Sequence, residues 1–157
     1  MKKKIKWIII GISVVIIAVL IYAGALVRYA DREMGILNNY KASLEVMPEV
    51  DSVRSIHRFS GLESYVVALV ELSNNQEAYF FVRDGVVQHY IEKSELITEA
   101  QAMSVALDLI VGGEIHDTQL GIIDDTPIFE VQIALNNDVY YVVINAVSGN
   151  VIMNFSL

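Results

Sequence analysis

The first pattern along the chain is an unbroken apolar run. Residues 7–27 hold no charge and consist mainly of Ile, Val, Leu and Ala. As an α-helix this run covers about 32 Å, which matches a bilayer core of about 30 Å. Lys2, Lys3, Lys4 and Lys6 precede it, while Arg28 and Arg32 mix with Asp31 and Glu33 on the other flank. Cationic ends stay in the cytoplasm. The expectation is therefore a Lys-rich cytoplasmic start over 1–6, a single-pass signal-anchor over 7–28, and an extracytoplasmic remainder. Trp7 and Tyr22 or Tyr29 fall where amphipathic rings favour the headgroup region. Ala23-Gly24-Ala25 offers a cleavage-like alternative, but the run exceeds the roughly 7–15-residue core of a secretory signal.

Beyond the span the period changes. Leu37, Tyr40, Leu44 and Met47 repeat at helical spacing within 31–47, and Pro48 stops the helix. A second helix is predicted over 98–110. Thr98 and Gln101 form a capping-box pair, Ala102, Val105, Ala106, Leu109 and Ile110 share one face, and Gly112-Gly113 ends it. Strands are predicted over 65–72, 78–83 and 86–90, divided by Ser73-Asn74-Asn75 and by Asp84-Gly85, a strong hairpin signal. The same syntax returns after the second helix. Phe129, Val131, Ile133 and Leu135 alternate with Glu130, Gln132 and Ala134, and strands follow over 139–145 and 151–155.

A shift of 62 residues lays Asn74-Asn75 on Asn136-Asn137 and Tyr79 on Tyr141. After a two-residue insertion Gly85 meets Gly149. The predicted fold class is accordingly α+β, with an N-terminal transmembrane helix and two tandem units, 29–93 and 94–157. Each unit lays one helix on an antiparallel sheet. One continuous α+β domain is the alternative.

Charge narrows the functions. Beyond residue 28 stand six Lys or Arg against nineteen Asp or Glu, a net −13, and from Ser94 onward there are nine acids and no Lys or Arg. Such a surface repels phosphate backbones, so no nucleic-acid partner is expected. With no cysteine, disulfides, thiolate catalysis and cysteine metal sites are excluded.

No nucleophile, phosphate-loop or HExxH motif is present, and no catalytic, cofactor or metal residue is assigned. His57, His89 and His116 lack a second His at ligand spacing. His116 with Glu114 and Asp117, and the pair Asp124-Asp125 before Thr126-Pro127, could contribute to a cation site, but a strand-end histidine and a polar turn explain them more cheaply. Tyr79, Tyr90, Tyr140 and Tyr141 are predicted on strands, where half-burial is their ordinary state and partner contact the sharper alternative.

The layout as a whole resembles the YpmB or TseB family, small membrane-anchored cell-wall elongation regulators of Gram-positive bacteria with a PepSY-type C-terminal domain. The similarity rests on the Lys-rich start, the single span, Tyr65-Val66-Val67 and Ala78-Tyr79-Phe80-Phe81-Val82. Its most specific part is Glu99-Ala100-Gln101-Ala102 opening a helix, with residues 142–152 ending in strand, turn, Gly and strand. Asn145 and Ser148 stand where the pattern usually has Asp and Thr.

The resemblance implies two cystatin-like or PepSY-like folds and a non-enzymatic binding protein without cofactor. It also implies a class B penicillin-binding protein as partner. A second possibility it raises is a protease inhibitor or propeptide-like chaperone, with residues 61–64 or 121–126 as wedge loops.

Overall fold

The computed structural model describes the backbone of residues 2–61 and 63–156, with side chains except at 2–16, 29 and 30. The chain forms two compact units, Met1–Asn39 and Tyr40–Leu157. Helix α1 is continuous over Lys2–Glu45. Among the described residues no helix is long and apolar enough to cross a membrane. Side chains 7–16 of the expected span, and the rings of Trp7 and Tyr29, lie outside what is described.

The second unit is α+β and carries two four-stranded antiparallel sheets. The first runs β1 (Val50–Ser60), β2 (Ser64–Leu72), β3 (Glu77–Arg83) and β4 (Val86–Glu92), neighbours in space as in sequence. Helix α2 (Glu99–Leu109) follows, and then the second sheet, β5 (Glu114–Ile123), β6 (Thr126–Leu135), β7 (Asp138–Asn145) and β8 (Val151–Ser156), in the same order.

The interior strands lie where the alternating apolar positions predict them. Strands β1 and β5 lie outside the predicted ranges. Both sit at sheet edges, both are rich in polar residues, and both carry bulges that break the period of two, in β1 between Val50 and Ser55 and in β5 at Ile115/Asp117.

Turn chemistry fixes the registers. Asp84 and Gly85 both take positive φ, 52° and 79°, and close a two-residue hairpin between the paired Arg83 and Val86. That is the geometry whose twist suits β-strands and that Asp-Gly adopts most readily. Asp124 and Asp125 make the same turn between Ile123 and Thr126, with φ of 46° and 60°, although neither is glycine.

Helix α2 begins with the expected capping box. The Gln101 amide donates to Thr98 Oγ1 at 3.2 Å, and the Thr98 amide donates to Gln101 Oε1 at 2.8 Å. Ala102 and Ala106 on its inner face are wholly buried. Their small side chains bring the helix close to β5, β6 and β7.

The two sheets and α2 share one core, with Phe59, Tyr65, Val67 and Phe81 from the first sheet packed among Leu120, Ile128, Phe129 and Val131 from the second. Phe59 marks the tightest point. Its ring lies against the backbone of Gly121, so closely that a Cβ there would overlap the ring. Gly121 is therefore required by close approach, since its backbone does not have a left-handed φ. Leu44, at the end of α1, is buried in the same unit as the sheets, and Met47 after it is half-buried.

Candidate interaction surface

The predicted wedge loops meet. The β1–β2 tip and the β5–β6 tip lie side by side, with a Cβ built on Gly61 only 3.6 Å from Ile123 Cγ1. Leu62, in the first of these loops, lies outside the described residues. A hollow of about 190 Å³ between the tips is lined by Glu63, Tyr65, Ile122, Ile123, Asp124 and Asp125.

Tyr65 is the pivot of this notch. It is buried, its hydroxyl donates to Glu63 Oε2 at 2.9 Å, and the Arg83 guanidinium lies 5.4 Å from its ring centre. Arg83 pairs with the same Glu63. The phenol is held above its ordinary value, first by burial and then by its bond to Glu63, with Arg83 opposing. It therefore stays protonated, a hydrogen-bond donor rather than a base.

His89 extends the network to the second sheet. Its ring lies 6.2 Å from that of Tyr65 at 64°, and its Nε2 is 3.2 Å from Asp125 Oδ1. His89 and Asp125 are 36 positions apart, with no local pattern to join them. Likewise His57 Nε2 lies 2.9 Å from the carbonyl oxygen of Leu120. A carbonyl only accepts, so this nitrogen carries the proton and the imidazole ties β1 to β5.

The candidate cation ligands are not brought together. His116 is exposed, and Asp117 is engaged locally, accepting from the Thr118 amide at 2.9 Å and from Gln119 Nε2 at 2.7 Å. Among the described residues no three His, Asp or Glu side chains gather in a metal-holding group. Asp124-Asp125 is the polar turn.

The tyrosines divide. Tyr79 is half-buried, with its phenol pushed up chiefly by burial. Tyr90 is half exposed and meets Phe80 edge-on at 5.7 Å beside an open apolar hollow of about 610 Å³ that Met47, Leu72 and Val86 also line. Tyr141 stacks flat on Phe155 of β8 at 5.1 Å.

The turn before β8 shows what Asn145 does. Its Oδ1 accepts from the amides of Val147 and Ser148 at 3.0 and 2.8 Å, an acceptor role that an amide fills as well as a carboxylate. Gly149, at φ 74°, completes the turn. Beyond it β8 is exposed at every residue, a property of the surface that strand periodicity does not convey.

Comparison with known proteins agrees with the sequence pattern. The family model PepSY, the peptidase propeptide and YPEB domain, matches residues 96–152. Among solved structures, the YpmB protein from Bacillus subtilis is similar at 17% identity and a TM-score of 0.65, over 76% of this chain and 96% of that one. A chain named as a lipoprotein of Clostridium difficile 630 aligns at 17% identity over 82% of this chain and 92% of its own, with a TM-score of 0.41. No curated protein matches. Residues 96–152, comprising α2, β5, β6, β7 and the start of β8, are thus a PepSY domain in a chain with the YpmB fold, as the resemblance read from the sequence implies.

Proposed function

We propose that the chain is a non-enzymatic binding protein of the extracytoplasmic membrane surface, anchored by residues 7–28, that regulates cell-wall elongation through a class B penicillin-binding protein. The observation that carries this reading is the PepSY match over 96–152 downstream of an uncharged run long enough to span a bilayer. The two sheets support it. Their elements coincide at an offset of 62 to 64 residues, β2 with β6, β3 with β7, β4 with β8 and the end of α1 with α2, which reads as a duplicated helix-plus-sheet unit.

Anchoring confines such a module to the bilayer surface, where its effective concentration toward another membrane protein is high. The net −13 beyond residue 28 favours a partner with a basic face and speeds encounter. The test is a pull-down from detergent-solubilised membranes with the tagged full chain, compared with residues 1–39 alone. Recovery of a penicillin-binding protein above that control supports the reading, and its absence sinks it.

A protease inhibitor is the second reading, and the side-by-side tips at Gly61 and Ile123 favour it because paired loops can enter a cleft. Added to a panel of extracytoplasmic peptidases, the chain then lowers the activity of at least one. Unchanged rates across the panel remove this alternative.

A further inference from the structure

The unit of two sheets has four edge strands, and three of them are guarded. β1 carries Asp51, Arg54 and Arg58 together with its bulges, β4 carries His89 and Glu92, and β5 carries Glu114, His116 and Asp117. Charges and bulges on an edge are what keep other strands from pairing with it. β8 reads Val-Ile-Met-Asn-Phe-Ser, with no charge and no proline. Its one irregularity is at the start, where Ile152 is extra between the paired Val151 and Met153.

All six residues are exposed, and Val151, Ile152, Met153 and Phe155 each show between 42% and 48% of their surface. Among the described residues no strand pairs with its outer side. The strand is nevertheless ordered, held to β7 from Tyr140/Ser156 to Ile144/Val151 and by the stack of Phe155 on Tyr141. Alternate N–H and C=O groups of such a strand point outward as a ready ladder.

We propose that β8 is a docking edge at which an extended segment of a partner protein adds a fifth strand to the second sheet. That segment alternates apolar and polar residues and carries Lys or Arg at its ends. The ladder supplies affinity, and the apolar side chains of β8 select the facing ones. Charge selects the occupant. From Ser94 onward the chain has nine acids and no Lys or Arg, so a second copy brings like charge against like, whereas a basic-flanked strand is attracted. The inference rests on the binding-protein reading and names the kind of partner that reading requires.

The test uses the full chain in nanodiscs, panned against random twelve-residue peptides displayed on ribosomes. Enriched peptides are expected to alternate apolar and polar residues with Lys or Arg at their ends, and to slow amide exchange in β8. Methylating alternate peptide nitrogens abolishes binding, and replacing the terminal cations by Glu weakens it about tenfold. Met153→Lys places a charge on the edge without touching the core, and Ile152→Pro puts a proline on the same strand at its bulge. Both are expected to lose peptide binding at an unchanged melting temperature, and Met153→Lys decides the matter where the proline variant does not fold.

No enrichment overturns the proposal, as does protection of the hollow at Phe80 and Tyr90 in place of β8, or a dimer crosslinked through β8. The membrane pull-down separates the two readings. If Met153→Lys recovers the same partner as the parent chain, the edge proposal falls and the binding-protein reading stands.

Discussion

The two sheets have one strand order and opposite ways of handling charge. The first places its cations opposite acids, Arg54 with Glu71, Arg83 with Glu63 and Lys93 with Glu77, all between neighbouring segments of the same sheet. The second has acids but no Lys or Arg, and its sheet relies on packing under α2. Topology thus says little about surface chemistry. Ion pairs at the surface are worth about 0–1 kcal/mol, so the first sheet gains little stability from them. What it gains is a neutralised and guarded rim, whereas the second sheet keeps an acidic surface and an open edge.

Beneath this contrast the sheets depend on each other at an apolar joint. Phe59→Ala has the largest expected effect, a loss of about 3–5 kcal/mol in unfolding free energy, because a fully buried ring is replaced by a cavity. Chemical denaturation of the full chain in detergent measures it, and a loss below about 1 kcal/mol would show that the core does not pivot there. Gly121→Ala comes next, at about 1–3 kcal/mol, because its Cβ meets the Phe59 ring and the ring is boxed in by the core. In the Phe59→Ala background the same change costs far less, since the obstacle is gone. Additive losses would separate the two positions.

How much of this was readable follows from where each feature gets its definition. Helix α2 was legible because its cap, stripe and stop are local, and β2, β3, β6 and β7 because interior strands alternate or run apolar. β1 and β5 were not, because edge strands with bulges and polar outward residues lose the period that marks a strand. The surface divides the same way. The missing charge on β8 is printed in the sequence, yet its meaning depends on which strands are edges. The Glu63–Arg83 and His89–Asp125 pairs join residues 20 and 36 apart, through a sheet and across two sheets, and no spacing rule reaches them.

Smaller effects sharpen the contrast. Thr98→Ala removes the acceptor of the Gln101 amide and is expected to cost about 1 kcal/mol, felt in the second sheet, which α2 covers. Hydrogen exchange reads the location. Faster exchange in β6 and β7 than in β2 and β3 fits, and uniform acceleration would mean that the sheets open as one.

Alkaline pH acts on the first sheet. The folded Tyr65 phenol is held above 10.0, so it keeps its proton when the unfolded chain releases one. Its contribution is complete below about pH 10 and is lost as pH rises through the folded value. Tyr65→Phe should flatten the fall of melting temperature above pH 10. An unchanged slope would assign that fall to other groups.

The smallest effect lies at the tips, where two turns of one type differ in residue. The first sheet turns at Asp84-Gly85, the second at Asp124-Asp125, with both acids left-handed. Asp tolerates that conformation better than most residues, but glycine adopts it without the Cβ penalty. Asp125 also meets His89, but with 84% of its side chain exposed the pair contributes little. Asp125→Asn keeps a side chain that tolerates the turn and drops the charge, and is expected to cost under about 0.5 kcal/mol. Asp125→Gly drops both charge and strain and is expected to stabilise by about 0.5 kcal/mol. If Asn costs more than about 1 kcal/mol and Gly fails to recover it, the His89–Asp125 pair is a strut between the sheets. The second sheet would then lean on the first through charge as well as through Phe59.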